Sequence, residues 1–416
     1  MRFEPLGPLR GDLHPPPDKS VSHRAALIGA MAEGPTRITG YLDSADTRAT
    51  LRAVSAVGAE VREGEADGRG GLFVEVEGIG LRGPRPAEID VANAGTLLRL
   101  LPGWLAGQSG EEWVIDGDES IRRRPVDRIA EPLGLMGGDV EARDGRLPPL
   151  RVRGAQLRGI DYEMPVASAQ VKSCLLFAGL LAAGNTRVTE PHWTRDHTER
   201  LEAGDVPVPG DFSSAAFFLV ATLLVPGSEV SLRDVGINRA RIGLMPILSR
   251  MGVEMGGAYE TGRAVTVEEI REPGPEPIAR LNVRSAALRG TEVTAEDVPS
   301  AIDELPLVAL LGCFAEGETV VSGAAELRAK ESDRIAGIVE GLTGLGAEIE
   351  GRPDGFAVRG TGGLRGGELD AHGDHRLAMV GAVAGLASSE GVEVRGFEVV
   401  EVSYPGFERD LRSLLG

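Results

Sequence analysis

Lysine is nearly missing from this chain. Only three of its 44 basic residues are lysines (Lys19, Lys172 and Lys330), and arginine stands almost everywhere else. If the bias is genomic, the surviving lysines mark positions where a compact, tunable ammonium is not interchangeable with a planar guanidinium. Chance survival is the competing explanation, and it loses ground if all three fall in candidate motifs. Positive charge is also short overall. The formal net charge of -19 argues against nucleic acid or an anionic membrane as partner, since both would be repelled at long range. An anionic ligand would therefore need a locally basic cleft. Aromatics make up only 4 %, so the cores are expected to be built from Ala, Val, Leu and Ile. Two cysteines, Cys174 and Cys313, each lie in an apolar run and read as reduced core residues. Neither is paired for zinc, and His372 and His375 have no clear partner ligands, so no metal is expected. No apolar run reaches the length of a membrane span, and Met1-Arg2-Phe3-Glu4-Pro5 lacks the apolar stretch of a signal peptide. A cytoplasmic location is expected.

Glycine and length are plentiful. With 416 residues the chain exceeds what one core usually serves, so at least two domains are expected. A phrase of Gly, a few polar residues and then β-branched residues occurs six times, beginning near Gly34, Gly110, Gly184, Gly227, Gly317 and Gly391. Each copy follows an apolar helical run and opens a strand. Four copies lead on to a second helix and a turn into a strand pair, at Gly58, Gly137, Gly252 and Gly346. The unit is β-α-β-α-β-β. The third is cut short, because Thr198-Glu199-Arg200-Leu201 runs at once into Glu202-Ala203-Gly204-Asp205-Val206. The sixth is also incomplete, and residues 1–13 are expected to supply its missing strands. The expected fold is therefore α/β (α+β), with two similar lobes of three units each. Residues 15–207 form the first lobe and 1–14 plus 208–416 the second, with hinge crossings near 14 and 207–211. A ligand site would favour the cleft between such lobes.

Chemistry-bearing residues gather in a few short motifs. In Pro15-Pro16-Pro17-Asp18-Lys19-Ser20-Val21-Ser22-His23-Arg24, Asp18 can cap a helix whose first turns carry Lys19, Ser20 and Arg24, a set suited to an anion. A solvated helix start is the plainer reading. Asn93-Ala94-Gly95-Thr96 opens another helix, and Arg122-Arg123-Arg124-Pro125 reads as an anion site or a solvated loop. Ser168-Ala169-Gln170-Val171-Lys172-Ser173 again sets hydroxyl, amide and ammonium at a helix start, which favours an anion. Arg195-Asp196-His197-Thr198-Glu199-Arg200 is too charged for a core. Asp303, between Ile302 and Glu304-Leu305, is a candidate base, with a helix cap as the competing reading. Lys330-Glu331-Ser332-Asp333-Arg334 places Arg334 one helical turn from Lys330. Asp374-His375-Arg376 opens a further apolar helix.

In their order and spacing these motifs resemble the enolpyruvyl transferases, across both lobes. The resemblance implies an inside-out α/β barrel-like fold and transfer of the enolpyruvyl group of phosphoenolpyruvate to the 5-hydroxyl of shikimate 3-phosphate, through a tetrahedral adduct. No cofactor or metal is implied. It further implies that Ser20 and Arg24 hold the shikimate carboxylate, that Ser168, Ala169 and Arg195 serve its phosphate or the polar network around it, and that Gln170 lies between the substrates. Lys19, the backbone near Gly95, and Arg124 would take the phosphate of phosphoenolpyruvate, and Arg334 and Arg376 its carboxylate. Asp303 would accept the hydroxyl proton. Lys330 and Glu331 would move protons at the enol carbons, with Asp303, Lys330 and Lys19 also touching shikimate 3-phosphate. Sensitivity to glyphosate and a monomeric state are expected, with no nucleic-acid or membrane partner.

Three features depart from the family pattern: Pro17 where glycine is usual, Val402 where some members carry lysine, and the deletion between Leu201 and Val206. The alternatives are the sister enzyme acting on a UDP-amino sugar, which typically uses a loop cysteine, and a catalytically impaired binding homologue.

Overall fold

The computed structural model describes residues 1–65, 71–257, 260 and 262–415. Two compact units divide at 16/17 and 208/209: Pro17–Val208 form one, and Met1–Pro16 with Pro209–Gly416 the other.

In the first unit three helices, Lys19–Met31, Gly95–Leu105 and Ala169–Gly179, are buried on nearly every face and carry the core. Side chains begin them in two cases, Asp18 accepting from the Val21 amide at 2.9 Å and Ser168 from that of Val171 at 3.4 Å. The Gly95 and Ala169 helices touch through Gly103, where a Cβ would lie 2.0 Å from the Cys174 carbonyl oxygen. Sheets cover this bundle. One runs Asp205–Pro207, Glu33–Leu42, Gly71–Ile79, Glu60–Gly64, and the next Glu88–Asp90, Glu112–Asp116, Leu147–Arg153, Asp139–Arg143. Among the described residues the third sheet has two strands, Asp161–Glu163 and Arg187–Thr189.

The repeat has a packing basis. Gly29 and Thr36, Gly179 and Thr186, and Gly312 and Thr319 each join a buried helix to its strand, and a Cβ on the glycine would sit 3.0, 3.0 and 3.1 Å from the threonine Cβ. In each case the threonine belongs to the recurring Gly phrase.

The second unit repeats the plan around helices Phe212–Leu224, Leu305–Phe314 and His375–Ala387. Its N-terminal residues do not all go where the sequence suggested. Arg2–Phe3 pairs antiparallel with Val392–Arg395 in the sixth unit, whereas Arg10–Leu13 lies parallel to Glu229–Gly236 in the fourth. The reason is geometric: the fourth unit lacks a leading strand of its own, as the first lacks one until Asp205–Pro207 pairs beside Arg37–Thr39.

The third unit carries the shortfall read from the sequence. In the other units of this lobe the strand equivalent to Arg187–Thr189 has an antiparallel neighbour, but here that edge is bare among the described residues. An open depression of about 900 Å³ lies there, lined by Ile160, Leu176, Leu180, Thr186 and Val188, and Leu180 is 60 % exposed.

Candidate active site

In the first unit the basic residues converge through two hydrogen-bonded groups. Arg24, buried on the Lys19 helix, donates through Nε to Thr198 Oγ1 at 2.7 Å, through Nη2 to Ser173 Oγ at 2.9 Å, and through Nη1 to the Ser20 carbonyl at 3.1 Å. Arg195 Nη1 reaches Ser20 Oγ at 3.4 Å, and the Thr198 and Ser173 hydroxyls are 2.7 Å apart. Ser20, Arg24 and Arg195 therefore form one group. Ser168 and Ala169 adjoin it, Ser168 as helix cap and Ala169 through the carbonyl that accepts from Ser173.

The second group spans two helix starts. Gln170 accepts from Arg99 Nη1 at 3.0 Å and donates to Thr96 Oγ1 at 3.2 Å, while Arg124 Nη2 donates to Asn93 Oδ1 at 2.9 Å. Gly95 lets the guanidinium approach, since a Cβ there would fall 2.4 Å from Arg124 Nη1. Lys19 is half-buried and donates to Asp46 Oδ2 at 2.9 Å. Between Lys19 and Arg24, the imidazole of His23 is fully buried. Burial, aided by those two cations, pushes its pKa well below the ordinary value.

The second unit assembles a tighter, ionic cluster. Arg334, 1 % exposed, donates to Asp374 Oδ2 at 2.7 Å, Glu331 Oε2 at 2.5 Å and Asp303 Oδ1 at 3.4 Å. Burial opposes the charge on Asp374, but the adjacent Arg334 prevails and holds its carboxyl below the usual range. Arg376 donates to the Asp303 carbonyl at 3.2 Å, with Nη2 3.5 Å from its carboxylate.

Several sequence expectations need correction. Asp303 caps no helix; it lies in the turn between helices Val298–Ala301 and Leu305–Phe314, and the position before the latter belongs to Glu304. Lys330 and Arg334 do not share a helix. Lys330 follows the 3-10 turn Ala325–Ala329, and Asp333 caps a new helix, Arg334–Gly344, by accepting from the Ala336 amide. The segment at 195–200 is not wholly on the surface, because His197 is buried. Lys172 is no anion site: its ammonium is buried and met by Glu190 at 3.1 Å and Glu199 at 2.9 Å. Pro17 is buried against Gly71, where a Cβ would lie 3.0 Å from its Cγ. Val402 ends the 3-10 turn Phe397–Val402.

Residues to which the motifs gave no role include Asp46, Arg99, Arg241 and Glu304, although Arg99 follows the motif at 93–96 and Glu304 stands in the Asp-Glu pair at 303–304.

Comparison with known proteins agrees with this chemistry. The family model of EPSP synthase (3-phosphoshikimate 1-carboxyvinyltransferase) matches residues 3–203 and 198–411, in two pieces that meet where the third unit is short. The chain is 47 % identical to a 3-phosphoshikimate 1-carboxyvinyltransferase of Thermus thermophilus, covering 100 % of this chain and 98 % of that one. It is 46 % identical to the enzyme of that name from Alkalilimnicola ehrlichii, covering 98 % and 94 %. The solved EPSP synthase of Acinetobacter baumannii superposes with a TM-score of 0.83 at 38 % identity, over 99 % of this chain and 97 % of that one. The two lobes of repeated units, the paired arginine clusters and these matches agree: the chain belongs to the EPSP synthase family, the 3-phosphoshikimate 1-carboxyvinyltransferases.

Proposed function

We propose a division of roles, residue by residue, for the reaction of this family: transfer of the enolpyruvyl group of phosphoenolpyruvate to the 5-hydroxyl of shikimate 3-phosphate, with release of phosphate. In the first unit, Ser20 and Arg24 bind the shikimate carboxylate, while Ser168, Ala169 and Arg195 serve its phosphate and the polar network around it. Gln170 contacts both substrates. Lys19, the backbone at Gly95, and Arg124 bind the phosphate of phosphoenolpyruvate. In the second unit, Arg334 and Arg376 bind its carboxylate.

Asp303 accepts the proton of the 5-hydroxyl as that oxygen bonds to C2 of the enol, while a proton from Lys330 or Glu331 reaches C3. The adduct then loses phosphate, and the C3 proton returns to the protein. Each proton transfer of this kind contributes about 10²–10⁴-fold in rate. Lys19 assists departure of the phosphate as a point charge.

The observation that carries the reading is the setting of Asp303, a carboxylate 3.4 to 3.6 Å from guanidinium nitrogens on three different segments. Such a setting orients the carboxylate, the form in which a base accepts a proton. The sister enzyme's chemistry is disfavoured, because both cysteines are buried on helices and burial raises both thiols, that of Cys313 to about 12. We read the enzyme as cytoplasmic, monomeric and inhibited by glyphosate, which would compete at Arg124 and Gly95. The test is phosphate release with both substrates and with each omitted in turn. Release only when both are present is expected; release without shikimate 3-phosphate would overturn the reading.

A further inference from the structure

Asp303 has a third guanidinium neighbour to which the roles above give no task. Arg241 lies in the segment between strand Glu229–Gly236 and helix Leu244–Arg250, and its Nη1 is 3.6 Å from Asp303 Oδ2. It is fixed in place. Nη2 donates to Asp211 Oδ1 at 3.1 Å, and Asp211 also caps helix Phe212–Leu224 by accepting from the Ser214 amide. Its side chain is only 3 % exposed.

Glu304, next to Asp303, is fully buried, accepts from the Ser213 hydroxyl, and lies 3.8 Å from Arg241 Nη1. Burial raises its carboxyl pKa against the pull of Arg241, and the charge of Asp303 adds to the rise. Adjacent carboxyl groups in one dry turn compete for a proton. When a substrate carboxylate engages Arg334 and Arg376, their charge is shared with it. The guanidinium that stays with Asp303 is then Arg241.

We propose that Arg241 is a positioning residue for the reaction: anchored by Asp211, it keeps Asp303 ionised and aimed while Glu304 holds the proton of the pair. This rests on the reading of Asp303 as the base. Arg241 faces Asp303 from the segment before helix Leu244–Arg250, Arg334 and Arg376 from their own helices, and Glu304 from the same turn, so the balance among these groups sets the protonation of Asp303.

The experiment is kcat against pH, with KM for phosphoenolpyruvate measured alongside, for the wild type, Arg241→Met, Arg241→Lys, Glu304→Gln and the double variant Arg241→Met/Glu304→Gln. Arg241→Met is expected to move the acid limb of kcat upward by at least about one pH unit, the size of a neighbouring-charge effect. Its KM should stay within about threefold. Arg241→Lys should recover most of the shift. The double variant should keep the limb of Arg241→Met, because Gln is as neutral as a Glu304 that holds the proton. A limb of Arg241→Met that overlays the wild type, with kcat lowered equally at every pH, would mean packing alone and would overturn the proposal. Should Arg241→Met fail to fold, Arg241→Gln decides by the same rise of the acid limb; Glu304→Gln must leave the limb unmoved, and a limb that it moves downward also overturns the proposal. Asp303→Asn separates the two readings. If it is inactive while Arg241→Met is unshifted, only the role of Arg241 falls; if it is active, the base assignment itself falls.

Discussion

The arginines of the two units are held by different kinds of partner. In the first unit Arg24, Arg99, Arg124 and Arg195 donate to hydroxyls, amides and carbonyls. In the second, Arg334, Arg376 and Arg241 lie against Asp374, Glu331, Asp303 and Asp211. A neutral acceptor orients a guanidinium and leaves its charge available to an incoming anion. A carboxylate orients it and also shares its charge, and the guanidinium in turn favours the charged form of the carboxylate. The proposed division of roles follows this difference, with anion binding assigned to the first unit and proton transfer to the second.

Substitutions can break or sharpen this contrast. Asp303→Asn, in the ionic cluster, should lower kcat by about 10²–10⁴-fold with substrate affinity retained. Equilibrium binding measured beside steady-state turnover checks it, and a loss confined to binding would erase the distinction between the units. Arg24→Gln, among the neutral partners, should show the opposite split, with KM for shikimate 3-phosphate raised by about 30-fold or more and kcat changed less. Gly95→Ala should be milder. The new methyl displaces the Arg124 guanidinium that a Cβ would meet at 2.4 Å, weakening phosphoenolpyruvate by about tenfold and glyphosate by more. Inhibition curves at fixed phosphoenolpyruvate check this, and equal sensitivity to glyphosate in both forms would refute it.

The smallest effect is on stability. His23 is buried neutral with its pKa depressed, so the unfolded chain takes up a proton that the folded one refuses. Its contribution is fully present above the unfolded pKa near 6.5 and is lost as pH falls toward the folded pKa, by about 1.4 kcal/mol per pH unit. Urea midpoints at pH 7.5 and 5.5 should therefore separate more in the wild type than in His23→Gln. Equal separations would show that this histidine is not held neutral by its burial beside Lys19 and Arg24.

What could be read from the sequence was local or periodic. The Gly phrase announces the units, and in three of its six copies a threonine packs on a helix glycine seven residues earlier; the short interval before Val206 announces the bare edge of the third sheet. Asp18 and Ser168 cap helices as their positions suggest. What could not be read depends on pairing across long stretches of chain. Asp303 looks like a cap until Arg334 and Arg376 are seen beside it, and nothing near Lys172 in sequence reveals Glu190 and Glu199. Arg241 is one arginine among many, and only its anchorage on Asp211 sets it apart. Arg10–Leu13 joins the fourth unit rather than the sixth, an outcome hidden in the sequence because two incomplete units compete for the same few N-terminal residues.

That last strand has a consequence for how the molecule is made. Arg10–Leu13 is synthesised before the first unit, yet its partner Glu229–Gly236 follows the whole of that unit. Likewise Glu33–Leu42 waits for Asp205–Pro207 to complete its sheet. Such long-range pairings are slow to close and leave strand edges open meanwhile. The first unit can finish as soon as residue 208 is free, whereas the second must keep its opening strand unpaired through the synthesis of its neighbour. Translation order thus makes the unit bearing Asp303 the last to mature.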